Sequence, residues 1–267
     1  MRMLWAFLWR DIQNEISYRV SFILQILGIF PVVLVFFYIS RLFGGAMLSQ
    51  LESYGGRYFP FVLLGLAVQS YLVTGLSSFA GSIREAQLSG TLESIFATPV
   101  RLPVFLLGST LYAFFFNSLR IGIFLVLGAM ISDGGFHWGR LPSVCLIMGL
   151  TMTAFATLGI LSASFIVLFK RGDPFNWLFS VGSWLLGGVY YPVSVLPDWL
   201  QTLSGWVPMT HTLEALRHVL LSDASLAAVS GHMAKLALWA AIGLPLSCYC
   251  FGLAVDRARA RGTLGHY

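Results

Sequence analysis

A long run without charge constrains this chain more than any other feature of its sequence. Residues 58–83 contain no Asp, Glu, Lys or Arg, and comparable runs cover residues 20–40 and 141–169. About 20 apolar residues in a helix cross the roughly 30 Å of hydrocarbon in a membrane, so each run can form one span. Only 10% of all residues are charged, against about 25% in ordinary soluble domains. We therefore predict an all-α integral membrane protein without a large soluble domain.

Six predicted spans make up a single transmembrane domain over residues 1–267. Prolines, turn residues and isolated charges mark their boundaries. The predicted spans are residues 20–40, 58–80, 103–131, 141–169, 174–190 and 236–255. Residues 1–19 place tryptophans on one side and polar side chains on the other, which predicts an amphipathic connecting helix lying on the membrane surface.

Residues 193–235 form an unusual segment in front of the sixth span. They are too apolar for a solvated loop, yet Pro197, Pro208 and several charges interrupt them too often for a simple span. Irregular backbone is tolerated at membrane depth only where protein covers it or where it lines a cavity. We therefore predict two short helices, residues 197–206 and 210–221, that form a re-entrant hairpin on the outer side.

Positive charges are distributed unevenly between the two sides of these spans. If the N-terminus is inside, the inner segments hold ten Lys and Arg residues and the outer segments hold five. Because inner segments of membrane proteins carry the excess of positive charge, both termini are predicted to be cytoplasmic. Anionic lipids of the inner leaflet are sufficient partners for the net charge of +5, and no nucleic-acid partner is implied.

A polar island at residues 81–103 separates the second and third predicted spans. Apolar side chains recur along it at i, i+4, i+7 and i+8, the spacing of one helix face. They are Leu88, Leu92, Ile95 and Phe96. Proline disfavours the helical conformation of the residue before it, so Pro99 ends a predicted amphipathic helix over residues 84–99. Between two spans, this helix is placed to receive force from a soluble partner; the alternative is a loop that only packs against lipid headgroups.

Two stretches of the sequence carry a resemblance to a known family. GTLESIFATPVRLPVFLLG, preceded by Arg84 and Glu85, resembles the cytoplasmic loop of type 2 ABC exporter permeases. GGVYYPVSVLPDWLQTLSGWVPMTHTLEALRHVLL resembles the fifth span and re-entrant outer hairpin of the same family. The likeness runs in order over almost the whole chain. It implies a multi-pass permease subunit in a bacterial cytoplasmic (inner) membrane, serving export of drugs, lipids, lipooligosaccharides or polysaccharides.

The resemblance also implies which partners and cofactors the chain works with. They are two copies of an ABC ATPase subunit, which bind ATP and Mg, and a second permease copy in a homodimer. This sequence contains no GxxxxGK[ST] phosphate loop, the motif whose backbone amides and lysine hold nucleotide phosphates. We therefore expect no cofactor on this chain and no enzymatic activity of its own, with the ATPase on a separate polypeptide.

Family resemblance assigns roles to two groups of residues. The residues implied to couple the permease to the ATPase are Arg84, Glu85, Ser89, Gly90, Thr91, Glu93, Thr98 and Pro99. The family's translocation path runs largely along spans two and five, whose polar residues here are Gln69, Ser70, Thr74, Asn176, Trp177 and Ser183. Such a weakly polar path favours an amphipathic or lipid-linked cargo. Alternatively, these residues only join the spans through hydrogen bonds and close contacts.

Arg120 adds a charge about midway along the third predicted span. A central arginine costs about 2.5–3.5 kcal/mol on insertion scales, so we expect it to face protein, a carboxylate or a watery cavity. Two roles stay open. Either Arg120 lies on the path and attracts an anionic headgroup, or it bonds to helix carbonyls or to its neighbours Asn117 and Ser118.

An intramembrane enzyme and an ion-coupled carrier are the alternatives from other classes. The predicted spans contain no Asp or Glu in their interiors, whereas an ion site or a carboxylate pair near the midplane requires them. His211, Glu214 and His218 share one face of a helix but do not follow the HExxH arrangement of a metalloprotease. We therefore interpret these three residues as a polar, outward-facing helix side and predict no metal site.

Overall fold

The computed structural model describes residues 24, 27–42, 49–88, 90, 102–131, 136–169 and 174–260. Over these ranges the regular structure is helical throughout, which confirms the predicted all-α class. The α-helices are α1 (Ile29–Leu42), α2 (Tyr58–Leu88), α3 (Leu102–Ile131), α4 (Leu141–Phe169), α5 (Pro174–Leu186), α6 (Asp198–Ser204), α7 (Pro208–Leu221) and α8 (Ser230–Ala260). The predicted interface helix at residues 1–19 lies outside the described residues.

Four helical stretches are long and apolar enough to cross a membrane. They are Tyr58–Glu85, Thr110–Ile131, Trp138–Phe169 and Ser230–Ala260, and they correspond to the second, third, fourth and sixth predicted spans. The other two predicted spans are represented, within the described ranges, by α1 with 14 residues and α5 with 13 residues. Thirteen helical residues extend about 20 Å, less than the roughly 30 Å of hydrocarbon. A six-span arrangement therefore stays a prediction.

The fifth predicted span is shorter than the sequence indicated, because a glycine turn ends its helix. The prediction extended to Tyr190, but α5 ends at Leu186. Gly188 has φ +72, a conformation that glycine adopts without the steric cost of a side chain. The backbone of Val189 then lies directly against Gly65 of α2, where any Cβ would meet the Val189 carbonyl oxygen. The chain thus turns onto the second span instead of continuing as a helix.

Helix α4 lies at the centre of the bundle, packed between α2 and α8, while α3 packs on the other side of α2. Helices α4 and α2 approach closely where Gly159 meets the backbone carbonyl of Gly75. Small residues at such crossings let helix backbones come together and pack tightly in lipid. Buried aromatic rings of Phe79, Phe114 and Phe155 surround the crossing.

The two short helices predicted for the segment before span six are confirmed as α6 and α7. Proline at the start of α7 suits the first helical turn, where its missing amide hydrogen is not needed. Helix α7 is buried along nearly its whole length, and the hydroxyls of Thr212 and of Thr151 on α4 lie 3.0 Å apart. The hairpin is thus part of the core, and its entry into the membrane stays a prediction.

Three predicted outer loops lie together at one end of the bundle. The Ser222 hydroxyl, after α7, donates a 2.7 Å hydrogen bond to the carbonyl of Ser53 in the loop before α2. Arg140, in the loop before α4, forms a 2.8 Å ion pair with Asp223, and this hydrogen bond lowers the pKa of the Asp223 carboxyl. Successive predicted spans cross the membrane in opposite directions, so loops that are separated by two spans lie at the same end of the bundle. The side of the membrane that this end faces is predicted from the charge distribution alone.

Candidate functional site

The last turns of α2 carry the first two predicted coupling residues. The sequence predicted that the second span ends at Ala80, but the helix continues through Arg84 and Glu85 to Leu88. Its 31 residues extend about 46 Å, well beyond the roughly 30 Å of hydrocarbon. Arg84 and Glu85 are exposed on the protruding end, at the other end of α2 from the three predicted outer loops. The beginning of the predicted coupling segment is therefore a rigid extension of the second span.

Most of the predicted coupling helix over residues 84–99 lies outside the described residues, and the helix stays a prediction. Its first residues belong to α2, which ends at Leu88, and Gly90 has φ +67, outside the right-handed helical range. No atom lies within 4 Å of a Cβ built at Gly90, so glycine is needed there for its backbone conformation. The remaining predicted coupling residues, Ser89, Thr91, Glu93, Thr98 and Pro99, lie outside the described residues, and their role stays a prediction.

The predicted path residues of the second span are half-buried along α2. The Ser70 hydroxyl donates a 2.8 Å hydrogen bond to the Ala67 carbonyl, and the Thr74 hydroxyl donates a 2.9 Å bond to the Ser70 carbonyl. These two hydroxyls are thus satisfied by their own helix. The Gln69 side-chain carbonyl is buried without a hydrogen-bond donor, which makes Gln69 the residue of this group most in need of an external partner.

The predicted path residues of the fifth span do not share one surface of α5. Asn176 accepts a 3.1 Å hydrogen bond from Ser180 on the same helix. The Trp177 side chain is 67% exposed, whereas Ser183 is only 2% exposed. Helix α5 and its following turn meet α2 near Gly65 and Val189. Of the three, Trp177 is placed to contact a partner or lipid, and Ser183 belongs to the packed interior.

Arg120 lies half-buried on α3, and its Nε is buried without a hydrogen-bond partner. Ser118, which the sequence offered as a partner, instead donates to the Phe114 carbonyl at 2.8 Å and lies 3.3 Å from the Tyr71 hydroxyl of α2. The amide nitrogen of Asn117 is also buried and unpaired. Two buried hydrogen-bond donors without acceptors, the Arg120 Nε and the Asn117 amide nitrogen, therefore lie within one turn of α3.

Arg217 is a central polar residue, which the sequence placed in the second helix of the outer hairpin without assigning it a role. It is fully buried in α7, and its guanidinium lies 3.4 Å from the centre of the Phe61 ring. Its Nη2 donates hydrogen bonds of 3.2 and 3.1 Å to the carbonyls of Phe61 and Val189. Burial lowers the pKa of Arg217 to about 10, so the side chain stays charged at neutral pH. It joins the hairpin to α2 and to the turn after α5.

Glu214 and Tyr54 form the polar neighbourhood of this arginine. The Tyr54 hydroxyl donates a 2.7 Å hydrogen bond to Glu214, and the His218 Nε2 lies 3.7 Å from the same carboxylate. Burial and the Glu214 charge raise the pKa of Tyr54, which keeps the hydroxyl protonated as a donor. A signal for this cluster existed in the sequence, since Glu214 and Arg217 are three residues apart and therefore share a helix face.

The outward-facing interpretation is wrong for His211, because other helices cover that side of α7, whereas His218 keeps 33% of its side chain exposed. His211 is 3% exposed, and its Nε2 donates to the Gly205 carbonyl at 2.9 Å. A neutral imidazole then has an acceptor at Nδ1, which lies 3.2 Å from Nδ1 of His232 on α8. Within the described ranges, no three His, Cys, Asp or Glu side chains are grouped as a metal site would need.

Comparison with known proteins relates this chain to membrane permeases. Residues 2–221 match the family described as ABC-2 type transporter. Nodulation protein J of Sinorhizobium fredii is 27% identical over 247 residues, which cover 91% of this chain and 90% of the relative. The inner membrane transport permease YadH of Escherichia coli K12 is 25% identical over 189 residues, 70% of this chain and 73% of the relative.

A resistance permease is also among the similar proteins. The linearmycin resistance permease protein LnrN of Bacillus subtilis is 21% identical over 178 residues, 67% of this chain and 46% of the relative. The family match covers most of the chain, including the polar island and the hairpin, and confirms the resemblance carried by those two stretches. The chain therefore belongs to the ABC-2 type transporter family, the membrane permease subunits of ABC transporters.

Proposed function

We propose that this chain is the permease of an ATP-driven exporter that moves an amphipathic or lipid-linked substrate out across a bacterial cytoplasmic membrane. The family match over residues 2–221 carries the proposal. The name of LnrN supports the outward direction, because a resistance permease protects a cell by removing a compound. The weakly polar character of the predicted path residues along α2 supports an amphipathic cargo over a free ion, because an ion site near the midplane would need carboxylates.

Energy for this transport comes from a separate ATPase chain that binds ATP and Mg. This chain has no phosphate-loop motif with which to hold nucleotide phosphates. We place two ATPase subunits against the cytoplasmic face of a permease homodimer, with both termini of each permease cytoplasmic. ATP binding and hydrolysis then bring the ATPase subunits together and apart, and the permease alternates between two arrangements of its helices.

The protruding end of α2 is the proposed point of force transfer. Arg84 and Glu85 lie on this end, and the same continuous helix runs back to the crossing of Gly75 with Gly159 on α4. A helix transmits a push or rotation along its axis because its backbone hydrogen bonds all lie within it. Gly90, whose φ of +67 lies outside the right-handed helical range, comes two residues after the end of this helix. Movement of the ATPase at residues 84–99 would thus reach the centre of the bundle.

Cross-linking tests the coupling surface. A cysteine at Glu85 or Glu93 is expected to cross-link to the co-purified ATPase, because both positions belong to the proposed contact. A cysteine at the exposed Glu52, in the loop at the opposite end of α2, is the matched control and should give no adduct. Equal cross-linking of the Glu52 cysteine would show that the coupling surface is misplaced.

Substitutions in the same segment test coupling itself. Glu93→Ala, and more severely Gly90→Trp, should leave the permease inserted and dimeric while lowering transport and its coupling to ATP hydrolysis. A side chain at φ +67 costs on the order of 1–3 kcal/mol of local strain, so Gly90→Trp should alter the path of the segment. Transport and ATPase rates are measured on the reconstituted complex. Full transport by Gly90→Trp would contradict the proposed role.

Arg120 provides a test of the substrate class. The helices α2 and α3 run antiparallel, with Tyr71 against Ser118 and Leu63 against Gly128, so Gln69 lies near the level of Arg120. The unfilled Arg120 Nε and Asn117 amide nitrogen are donors suited to the oxygens of an anionic headgroup. We assign Arg120 to attraction of such a headgroup on the path.

Arg120→Met is therefore expected to abolish stimulation of the ATPase by anionic amphiphiles, while Arg120→Lys keeps part of it. Both variants should assemble normally by size-exclusion chromatography, because the arginine is only half-buried. Lipids, glycolipids and drugs of matched chain length but different charge serve as substrates. If Arg120→Met leaves both assembly and transport unchanged, Arg120 has neither role. Stimulation by simple ions alone would contradict an amphipathic cargo.

A further inference from the structure

An open cavity of about 710 Å³ lies between the hairpin of α6 and α7 and one face of α8. We call it the hairpin groove. Its long wall is formed by Leu238, Ile242 and Leu246, which recur every fourth residue and are 58%, 60% and 55% exposed. These residues lie within a helix that is apolar and long enough to cross a membrane. The groove thus opens toward the hydrocarbon that surrounds the bundle.

The wall of the groove is held in place by contacts between α8 and its neighbours. The Trp239 indole nitrogen donates a 3.1 Å hydrogen bond to the carbonyl of Trp206, at the end of α6. Gly243 lies against the Thr157 side chain of α4, where a Cβ would meet the Thr157 methyl at 2.6 Å. The first contact ties α8 to the hairpin, and the second sets the distance between α8 and α4. The groove is therefore a shaped feature of the fold.

One end of the groove is cationic. The exposed Lys235 lines this end, one helical turn before Trp239. His211 lines the same end, and burial lowers its pKa, so it adds no charge at neutral pH. Glu214 is not among the lining residues, and its negative charge lies near the buried positive charge of Arg217. The charge available to an occupant at this end is therefore that of Lys235.

We propose that the hairpin groove binds an anionic phospholipid of the surrounding membrane, with its phosphate at Lys235 and an acyl chain along Leu238, Ile242 and Leu246. The distance from Lys235 to Leu246 is about 16 Å along the helix, which gives an apolar wall of substantial length beside a single cation. A lysine near the end of a transmembrane helix extends its ammonium to the headgroup level, where a phosphate can accept its hydrogen bonds. The site is distinct from the translocation path and does not depend on which substrate is exported.

A photoreactive phosphatidylglycerol tests this site in the full-length permease reconstituted in phosphatidylcholine nanodiscs. Irradiation should attach the lipid to the peptide that contains residues 235–246, and unlabelled phosphatidylglycerol should compete while phosphatidylcholine should not. Lys235→Gln should reduce the preference for the anionic lipid about fivefold, since one lysine near a membrane surface contributes on that order. Arg257→Gln, which removes a cation from the other end of α8, is the matched control and should retain the preference.

A larger side chain in the hairpin groove tests whether the lipid occupies the groove itself or is only attracted to the charge of Lys235. Ile242→Trp should abolish the labelling of this peptide, whereas Tyr249→Trp, on an exposed part of α8 beyond the groove, should not. Unchanged labelling of Ile242→Trp, or equal labelling by the two lipids, would overturn the proposal. Oxidation of an Ile242→Cys variant tests the other possible occupant, a second permease copy. A dimer joined by a disulfide that forms only in the Ile242→Cys variant would show that a second permease copy covers the groove. That result would also overturn the proposal.

Discussion

Arg217→Ala is expected to lower the free energy of unfolding by about 3–5 kcal/mol, because hydrogen bonds from a charged donor each contribute about 1.5–3 kcal/mol. The substitution removes two hydrogen bonds to backbone carbonyls and the contact with the Phe61 ring. It also leaves the Glu214 carboxylate without its neighbouring positive charge. Because Arg217 joins α7 to α2 and to the turn at Val189, the hairpin should separate from the bundle first. Thermal unfolding of the detergent-purified permease measures the effect.

Arg140→Ala serves as the control for this experiment. Arg140 also pairs with a carboxylate at the same end of the bundle. Both side chains of this pair are well exposed, 40% for Arg140 and 52% for Asp223. Exposed ion pairs contribute little to stability, so the melting temperature should hardly change. Arg217→Met should be intermediate, because it restores volume but not charge. If Arg217→Ala unfolded at the temperature of the native protein, the cluster would have no structural role.

Gly159→Leu is expected to prevent close packing of α4 on α2. Even the Cβ of a new side chain at this position would meet the backbone carbonyl oxygen of Gly75 and, at 2.6 Å, the Phe79 ring. A backbone carbonyl inside a helix cannot rotate away, so the helices must separate. Overpacking of this kind costs about 1–3 kcal/mol or more. Because the crossing lies on the proposed path of force from the ATPase, transport should fall even in the fraction that folds.

Gly149→Leu is the matched control, since it makes the same substitution ten residues earlier on the same helix. No atom lies within 4 Å of a Cβ built at Gly149, and leucine favours a helix over glycine by somewhat less than about 1 kcal/mol. This variant should be as stable as the native protein or slightly more stable. The yield from membranes and the melting temperature distinguish the two variants. Equal behaviour would show that the glycine crossing is not required.

The helical class and the approximate position of most helices were predictable because they depend on local properties. The apolar run from residue 58 had no alternative to a helix in lipid, and α2 begins there at Tyr58. Proline and charge interruptions likewise separated α6 from α7. The sequence predicts the end of span two at Ala80, whereas α2 ends at Leu88, because the first charges mark the membrane boundary and not the end of the helix. A helix is free to extend past the membrane with charged side chains exposed.

The candidate path and coupling residues were only partly predictable. Residue type identified Gln69 and Arg120 as polar groups in apolar spans, and both keep buried atoms without partners. Residue type could not show that Trp177 is exposed while Ser183 is buried, because α5 is turned by its contacts with α2. The hairpin was misjudged for the same reason. The amphipathic pattern of α7 indicated a polar face, and the structure covers part of that face with protein.

The sequence alone determined that this chain is a helical membrane protein, because transfer into lipid, helix formation and proline interruption each act over a few neighbouring residues. Its likeness to known permeases placed it in the ABC-2 type transporter family. Only the tertiary structure decided what each polar residue contacts. Arg217 and the Phe61 carbonyl are 156 positions apart, and nothing local to either residue specifies their pairing. The free energy of a buried charge depends on the groups that surround it after folding. Those groups come from α2, the turn after α5 and α7, which meet only in the assembled bundle.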